Sequence, residues 1–155
     1  MLSEVIIGNH QQRTFIPENW LTALESAAHL AVPLALQHAT HPHSPLSQLD
    51  TLEIAMVDDA TSAQVHLDFM NIDGPTDVIT FHHGEIVIGT EVAQRQATDF
   101  NEPLARELLR YLVHGLLHLA GHEDADPLER ATMETAQESI VAQLWIDHLE
   151  ARLSP

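Results

Sequence analysis

Residues 103–120 carry Leu104, Leu108, Leu109, Leu112, Val113, Leu116 and Leu117, which puts apolar side chains on nearly every side of a helix. A helix without a broad polar face must be enclosed by other elements, so the rest of the chain has to wrap this segment. Gly121 follows directly and suits the left-handed position that stops a helix. A new start stands at Asp126-Pro127-Leu128-Glu129, with Asp as N-cap, Pro in the first helical position and Glu two residues on. From there Met133, Ile140, Val141, Leu144, Trp145 and Leu149 form an inward stripe to about Arg152.

The elements around this helix are shorter. Residues 5–7 read as a first strand. Pro17 can open a helix on which Trp20, Leu21, Leu24, Ala27, Ala28 and Ala31 recur, and Pro33 is expected to kink or end it. The stretch HATHPHSPLS, residues 38–47, has no periodicity and reads as a surface loop with His38, His41 and His43 solvated. Leu52, Ile54 and Met56 alternate in a half-buried strand over 51–57. Asp58 or Asp59 can then cap a helix running to about Phe69. Residues 77–81 and 84–88 are two β-rich runs joined through His82 and His83 as turn residues. Strands and helices in this uneven order predict an α+β fold, a single domain over 1–155 with a small sheet of about four strands.

Two histidines, His114 and His118, stand one turn apart on the enclosed helix, so both imidazoles leave from one face. Buried imidazoles need partners, and a shared cation would serve both. Gly121 lets the chain reverse, and a residue three further on, Asp124, can swing back over the pair. The pattern H-x-x-x-H-x-x-G-x-x-D has the ligand spacing of the extended zincin motif, with His122 as a competing third ligand. Two core histidines satisfied beside a helix stop are the alternative explanation. The position after the first histidine is Gly115, where metalloproteases of this type have a general-base Glu, so a minimal metalloprotease is a weak reading.

Composition narrows the partners. There is no cysteine, which rules out disulfides and thiolate zinc sites. Acidic residues number 23 against 6 basic ones, all arginine, for a formal net charge of −17. This argues against tight non-specific binding to nucleic acid, DNA included. The opening MLSEVIIGNH lacks the basic and apolar regions of a signal peptide, and no apolar run approaches the roughly 18–20 residues of a membrane span. A cytoplasmic chain without a membrane partner is expected.

HGLLHLAGHED (114–124), DGPTDVITF (73–81) and GEIVIG (84–89), in this order and at this separation, resemble the YbeY family over roughly residues 50–145. The resemblance implies a zincin-like α+β fold and one zinc per chain held by His114, His118 and Asp124. It further implies an endoribonuclease of ribosomal RNA maturation and quality control, working on the ribosome or with a ribosome-associated protein. A zinc-binding assembly factor that cuts nothing is the rival. Two positions depart from the family: Asp124 stands where a histidine is usual, and Met70 stands where an arginine precedes the D-x-P-T-D-V block. Arg110, one turn before His114, is a candidate to replace that arginine, with Arg95 as a second; an ion pair with Glu107 or another acid on the same surface is the alternative role for Arg110. Glu123 and Glu85 are candidate bases. Thr76 and Asp77 are expected to fix the start of their strand.

Overall fold

The computed structural model describes residues 2–153. The elements run β1 (Glu4–Asn9), α1 (Glu18–Gln37), α2 (Pro45–Gln48), β2 (Thr51–Val57), α3 (Asp59–Met70), β3 (Val78–Phe81), β4 (Glu85–Gly89), α4 (Thr90–Asp99), α5 (Leu104–Leu119) and α6 (Pro127–Leu144). A π-helical turn, Trp145–Leu149, leads into α7 (Glu150–Leu153). The sheet order is β1-β2-β4-β3, with β1, β2 and β4 parallel and β3 antiparallel at one edge. The fold is α+β with a mixed four-stranded sheet, as the order of elements predicts.

The enclosed helix is α5. Leu108, Leu109, Leu112, Val113, Leu116, Leu117 and Leu119 are all essentially without solvent contact, and α5 packs against α1, α4, α6 and the β3–β4 edge. Gly115 has a physical reason to be glycine, because a Cβ there would meet Ile86 Cδ1 of β4 at 2.8 Å. A side chain at this position would have to displace that of Ile86, which is itself fully buried. Gly121 takes φ +104° and ends the helical run, and a Cβ on it would collide with Thr40 Oγ1.

Leu52, Ile54 and Met56 of β2 face this main core together with Ile86 and Ile88 of β4. The other face of the sheet holds only Val57, Ile79 and Val87, with Ala55, Val65 and Phe81 around them. That thin cluster lies under α3, whose single buried residue is Ser62.

Asp58 caps α3 by accepting from Thr61 N at 2.8 Å, and Asn71 closes it with φ 56°. Asp126 caps α6 by accepting from Glu129 N at 2.8 Å, with Pro127 at its first position. The stripe Met133, Ile140, Val141, Leu144, Trp145, Leu149 is buried throughout.

Three local expectations change. α1 runs through Pro33 rather than ending there. Ala28, Ala31, Val32 and Ala35 are buried on one side, while His29 and Pro33 face solvent, so water can satisfy the carbonyl that proline leaves free. Residues 38–47 are not wholly a surface loop, since α2 begins at Pro45 and buries Leu46 beside a buried Ser44. Helix α4 was not foreseen: its inward face is only Thr90, Ala93 and Ala97, too small an apolar stripe to announce itself.

Candidate metal centre

His114 and His118 leave the same side of α5, and their Nε2 atoms stand 3.1 Å apart. Asp124 Oδ2 lies 3.5 Å from His114 Nε2 and 3.6 Å from His118 Nε2. Among the described residues this is the one group of three such side chains whose ligand atoms all lie within 4.8 Å of one another.

The hydrogen bonds behind the two rings decide what that proximity means. His114 Nδ1 faces Gln137 Oε1 at 2.7 Å, and Gln137 Nε2 donates to Glu138 Oε2 at 3.0 Å. The amide is thereby oriented with its oxygen toward the imidazole, and His114 must donate from Nδ1–H. His118 Nδ1 faces the backbone carbonyl of His122 at 3.0 Å, again an acceptor only. In its neutral form each ring carries its proton on Nδ1 and presents a bare Nε2 lone pair to the other. Two lone pairs cannot hydrogen-bond, and a carboxylate oxygen beside them adds a third acceptor.

A shared cation would resolve this arrangement. Ligands on one tetrahedral zinc stand about 3.3 Å apart, so the spacing and the nitrogen and oxygen donors fit zinc. Burial and the neighbouring His114 hold the His118 imidazole below the usual histidine range, which favours the neutral form a metal needs.

His122 is turned elsewhere. Its Nε2–H donates to the backbone carbonyl of His38 at 2.6 Å, so its ring pins the loop after α5 to the end of α1. Asp124 is the residue that swings back.

The three side chains line a cleft of about 800 Å³. Phe69, Met70 and the strand β3 form one part of it, and Glu123, Arg130 and Glu134 another. Met70 is exposed there, in the place where the resemblance leads one to look for arginine. Asp77 Oδ1 accepts from Val78 N at 2.7 Å and from Thr76 Oγ1 at 3.2 Å, while Ser62 Oγ donates to Thr76 O and accepts from Thr76 N. Thr76 and Asp77 thus anchor the start of β3 to α3.

The cationic candidates sit outside the cleft. Arg110 is enclosed by Glu102, Glu107 and Glu138, with contacts at 2.7 Å to Glu102 and 2.8 Å to Glu138. Arg95 is bidentate to Asp59 at 2.8 and 3.1 Å. Glu85 does not line the cleft and stands 3.4 Å from His83. Glu123 does line it, exposed beside Asp124.

Three functional candidates escaped sequence reasoning: Gln137, Arg130 and Glu134. Gln137 had a signal, a polar residue interrupting the apolar stripe between Met133 and Ile140. Arg130 and Glu134 lie on the polar face of α6, where nothing local distinguishes them.

The family model described as Endoribonuclease YbeY matches residues 7–145. A protein named Endoribonuclease YbeY from Corynebacterium glutamicum is 35% identical over 119 residues, covering 64% of this chain and 60% of that protein. One of the same name from Cutibacterium acnes is 35% identical over 127 residues, covering 71% and 77%. Another, from Rhodopirellula baltica, is 36% identical over 104 residues, covering 61% and 54%. The match thus spans 60% and 54% of the length of the Corynebacterium and Rhodopirellula proteins. A solved solution structure of a Thermotoga maritima protein shares the fold, with a TM-score of 0.61 over 97% of this chain and 93% of that one at 23% identity. Among the described residues no helix is long and apolar enough to cross a membrane.

Proposed function

The chain belongs to the Endoribonuclease YbeY family, and on that premise we propose that it is a zinc-dependent endoribonuclease. Its substrate is single-stranded ribosomal RNA, cut in the cytoplasm during ribosome maturation and quality control. The observation that carries the reading is the convergence of His114 Nε2, His118 Nε2 and Asp124 Oδ2 inside a cleft.

Three protein ligands rather than four are the mark of a catalytic site, because one position stays open to the reaction. Zinc bound there supplies a Lewis acid for a phosphoryl oxygen of the strand. The chain's own residues do the remaining work. Gln137 and the His122 carbonyl hold both imidazoles in the tautomer that exposes Nε2. Of the carboxylates lining the cleft, Asp124 stands with the two histidines and Asp77 accepts from Val78 N and Thr76, which leaves Glu123 and Glu134 to accept a proton from attacking water or return one to the leaving oxygen. A chain at −17 attracts RNA weakly, and docking on a ribosome-associated protein would supply the local concentration instead.

A second reading, a zinc-binding assembly factor that cuts nothing, draws support from Met70 in the cleft and from Arg110 enclosed by carboxylates. Peptide hydrolysis draws none, since the position of the protease base is Gly115, packed on Ile86.

The test is elemental analysis together with cleavage of a structured RNA bearing single-stranded ends. About one zinc per chain is expected, with cleavage that chelator or His114→Ala abolishes. Zinc bound at that level without any cleavage would favour the assembly factor.

A further inference from the structure

The cleft is poor in cations. Among the described residues its lining includes one arginine, Arg130, from the start of α6. The arginine ion pairs among the described residues belong to Arg95 and Arg110. Arg130 instead donates from Nε and Nη2 to the backbone carbonyl of Asp124, at 3.4 and 3.3 Å. These are long bonds to a neutral acceptor. A guanidinium has five N–H donors, so Nη1 and part of Nη2 stay uncommitted on an exposed side chain beside the candidate ligands.

We infer that Arg130 binds a phosphate of the RNA strand and sets its register against His114, His118 and Asp124. The inference rests on the nuclease reading above. A guanidinium pairs with phosphate oxygens through parallel N–H bonds, which neither Met70 nor any other residue lining the cleft can supply in that form. Glu123, Asp124 and Glu134 in the same cleft repel a polyanion, so a single well-placed cation decides whether a strand settles there. The bonds to the Asp124 carbonyl also tie the guanidinium to the loop that carries the third ligand, fixing one relative to the other.

The experiment uses the metal-loaded full chain and a short single-stranded RNA oligonucleotide, with cleavage and binding followed across a salt series. Arg130→Ala and Arg130→Lys are compared with wild type and with Arg95→Ala as a control away from the cleft. Loss of one charge-assisted contact predicts a KM about tenfold higher for Arg130→Ala, with kcat within about threefold. The slope of log affinity against log salt should fall by about 0.7, the value of one phosphate contact on a single strand. Arg130→Lys should recover part of both, Arg95→Ala should match wild type, and Arg130→Ala should keep its metal. Wild-type KM and slope in a metal-replete Arg130→Ala would overturn the inference, as would a KM increase that merely follows metal loss. Cleavage by wild type with an unchanged Arg130→Ala would sink the inference alone. Metal-loaded wild type that neither binds nor cuts RNA would sink the nuclease reading and the inference with it.

Discussion

On the α5–α6 side of the cleft the chemistry-bearing groups are held twice. His114 and His118 stand on a helix packed on several sides, and each ring is fixed from behind by an acceptor, Gln137 or the His122 carbonyl. On the α3–β3 side the cleft is bounded by Phe69 and Met70, which are 67% and 53% exposed, over a thin second core. Phe69 meets Phe81 edge-on with centroids 4.9 Å apart. The difference teaches where this fold needs fixed geometry. Ligand atoms must sit within fractions of an ångström of their places, which takes buried packing and oriented hydrogen bonds. On the proposed reading, the α3–β3 side would only have to receive a flexible strand, and exposed side chains suffice for that.

The largest expected effect is on metal. His114→Ala or His118→Ala should lower zinc affinity on the order of a thousandfold, since one of the three proposed ligands is gone. Asp124→Ala should follow them, whereas His122→Ala should retain its zinc. Zinc titration with a competing chelator reads all four, and equal losses for His122→Ala and Asp124→Ala would erase the distinction drawn between them.

Next comes stability, where the two sides should part clearly. Leu116→Ala removes a fully buried side chain of α5 and should cost about 3–5 kcal/mol. Phe69→Ser should change stability by less than about 1 kcal/mol, being mostly exposed. Urea unfolding checks both, and comparable losses would mean that α3 is held more firmly than its burial implies.

A smaller effect isolates the group behind a ligand. Gln137→Leu keeps the apolar stripe of α6 but leaves His114 Nδ1–H without its acceptor, and zinc affinity should fall about 10- to 100-fold. Undiminished affinity would show that the ring needs no orienting partner.

The smallest effect concerns the exposed side. Met70→Arg adds a guanidinium where the chain has thioether, and cleavage of single-stranded RNA should rise several-fold, on the order of one added phosphate contact. The gain should fade with added salt. No gain at low salt would place the strand away from α3.

Much of this was legible in the chain. The strand at β2, a cap at Asp58 or Asp59, the cap Asp126, the stop at Gly121 and the inward stripe from Met133 all follow from local periodicity and local hydrogen bonding, and the structure chooses Asp58. Helix α4 was hidden because alanines at 93 and 97 give almost no contrast between its faces. The run of α1 through Pro33 was hidden because the cost of an interior proline is lower where water can reach the freed carbonyl, and exposure is not written locally.

By itself, the sequence determined that residues of about 103–120 form an enclosed helix and that His114 and His118 share a face of it. Both follow from 3.6 residues per turn, a property of the chain alone. Only the tertiary structure decided which partners those residues meet. Gln137 reaches His114 across 23 positions, His122 finds the His38 carbonyl across 84, and Glu138 reaches Arg110 across 28. Arg110, one turn from the histidines, reads from the sequence either as a phosphate contact or as an ion-pair partner of Glu107, and the fold chooses the carboxylates, adding Glu102 and Glu138, while Arg130 faces the cleft. The reason is geometric. Helical spacing fixes the direction in which a side chain leaves its own axis, but the acceptor waiting there belongs to another element, placed by burial of apolar faces far away in the chain.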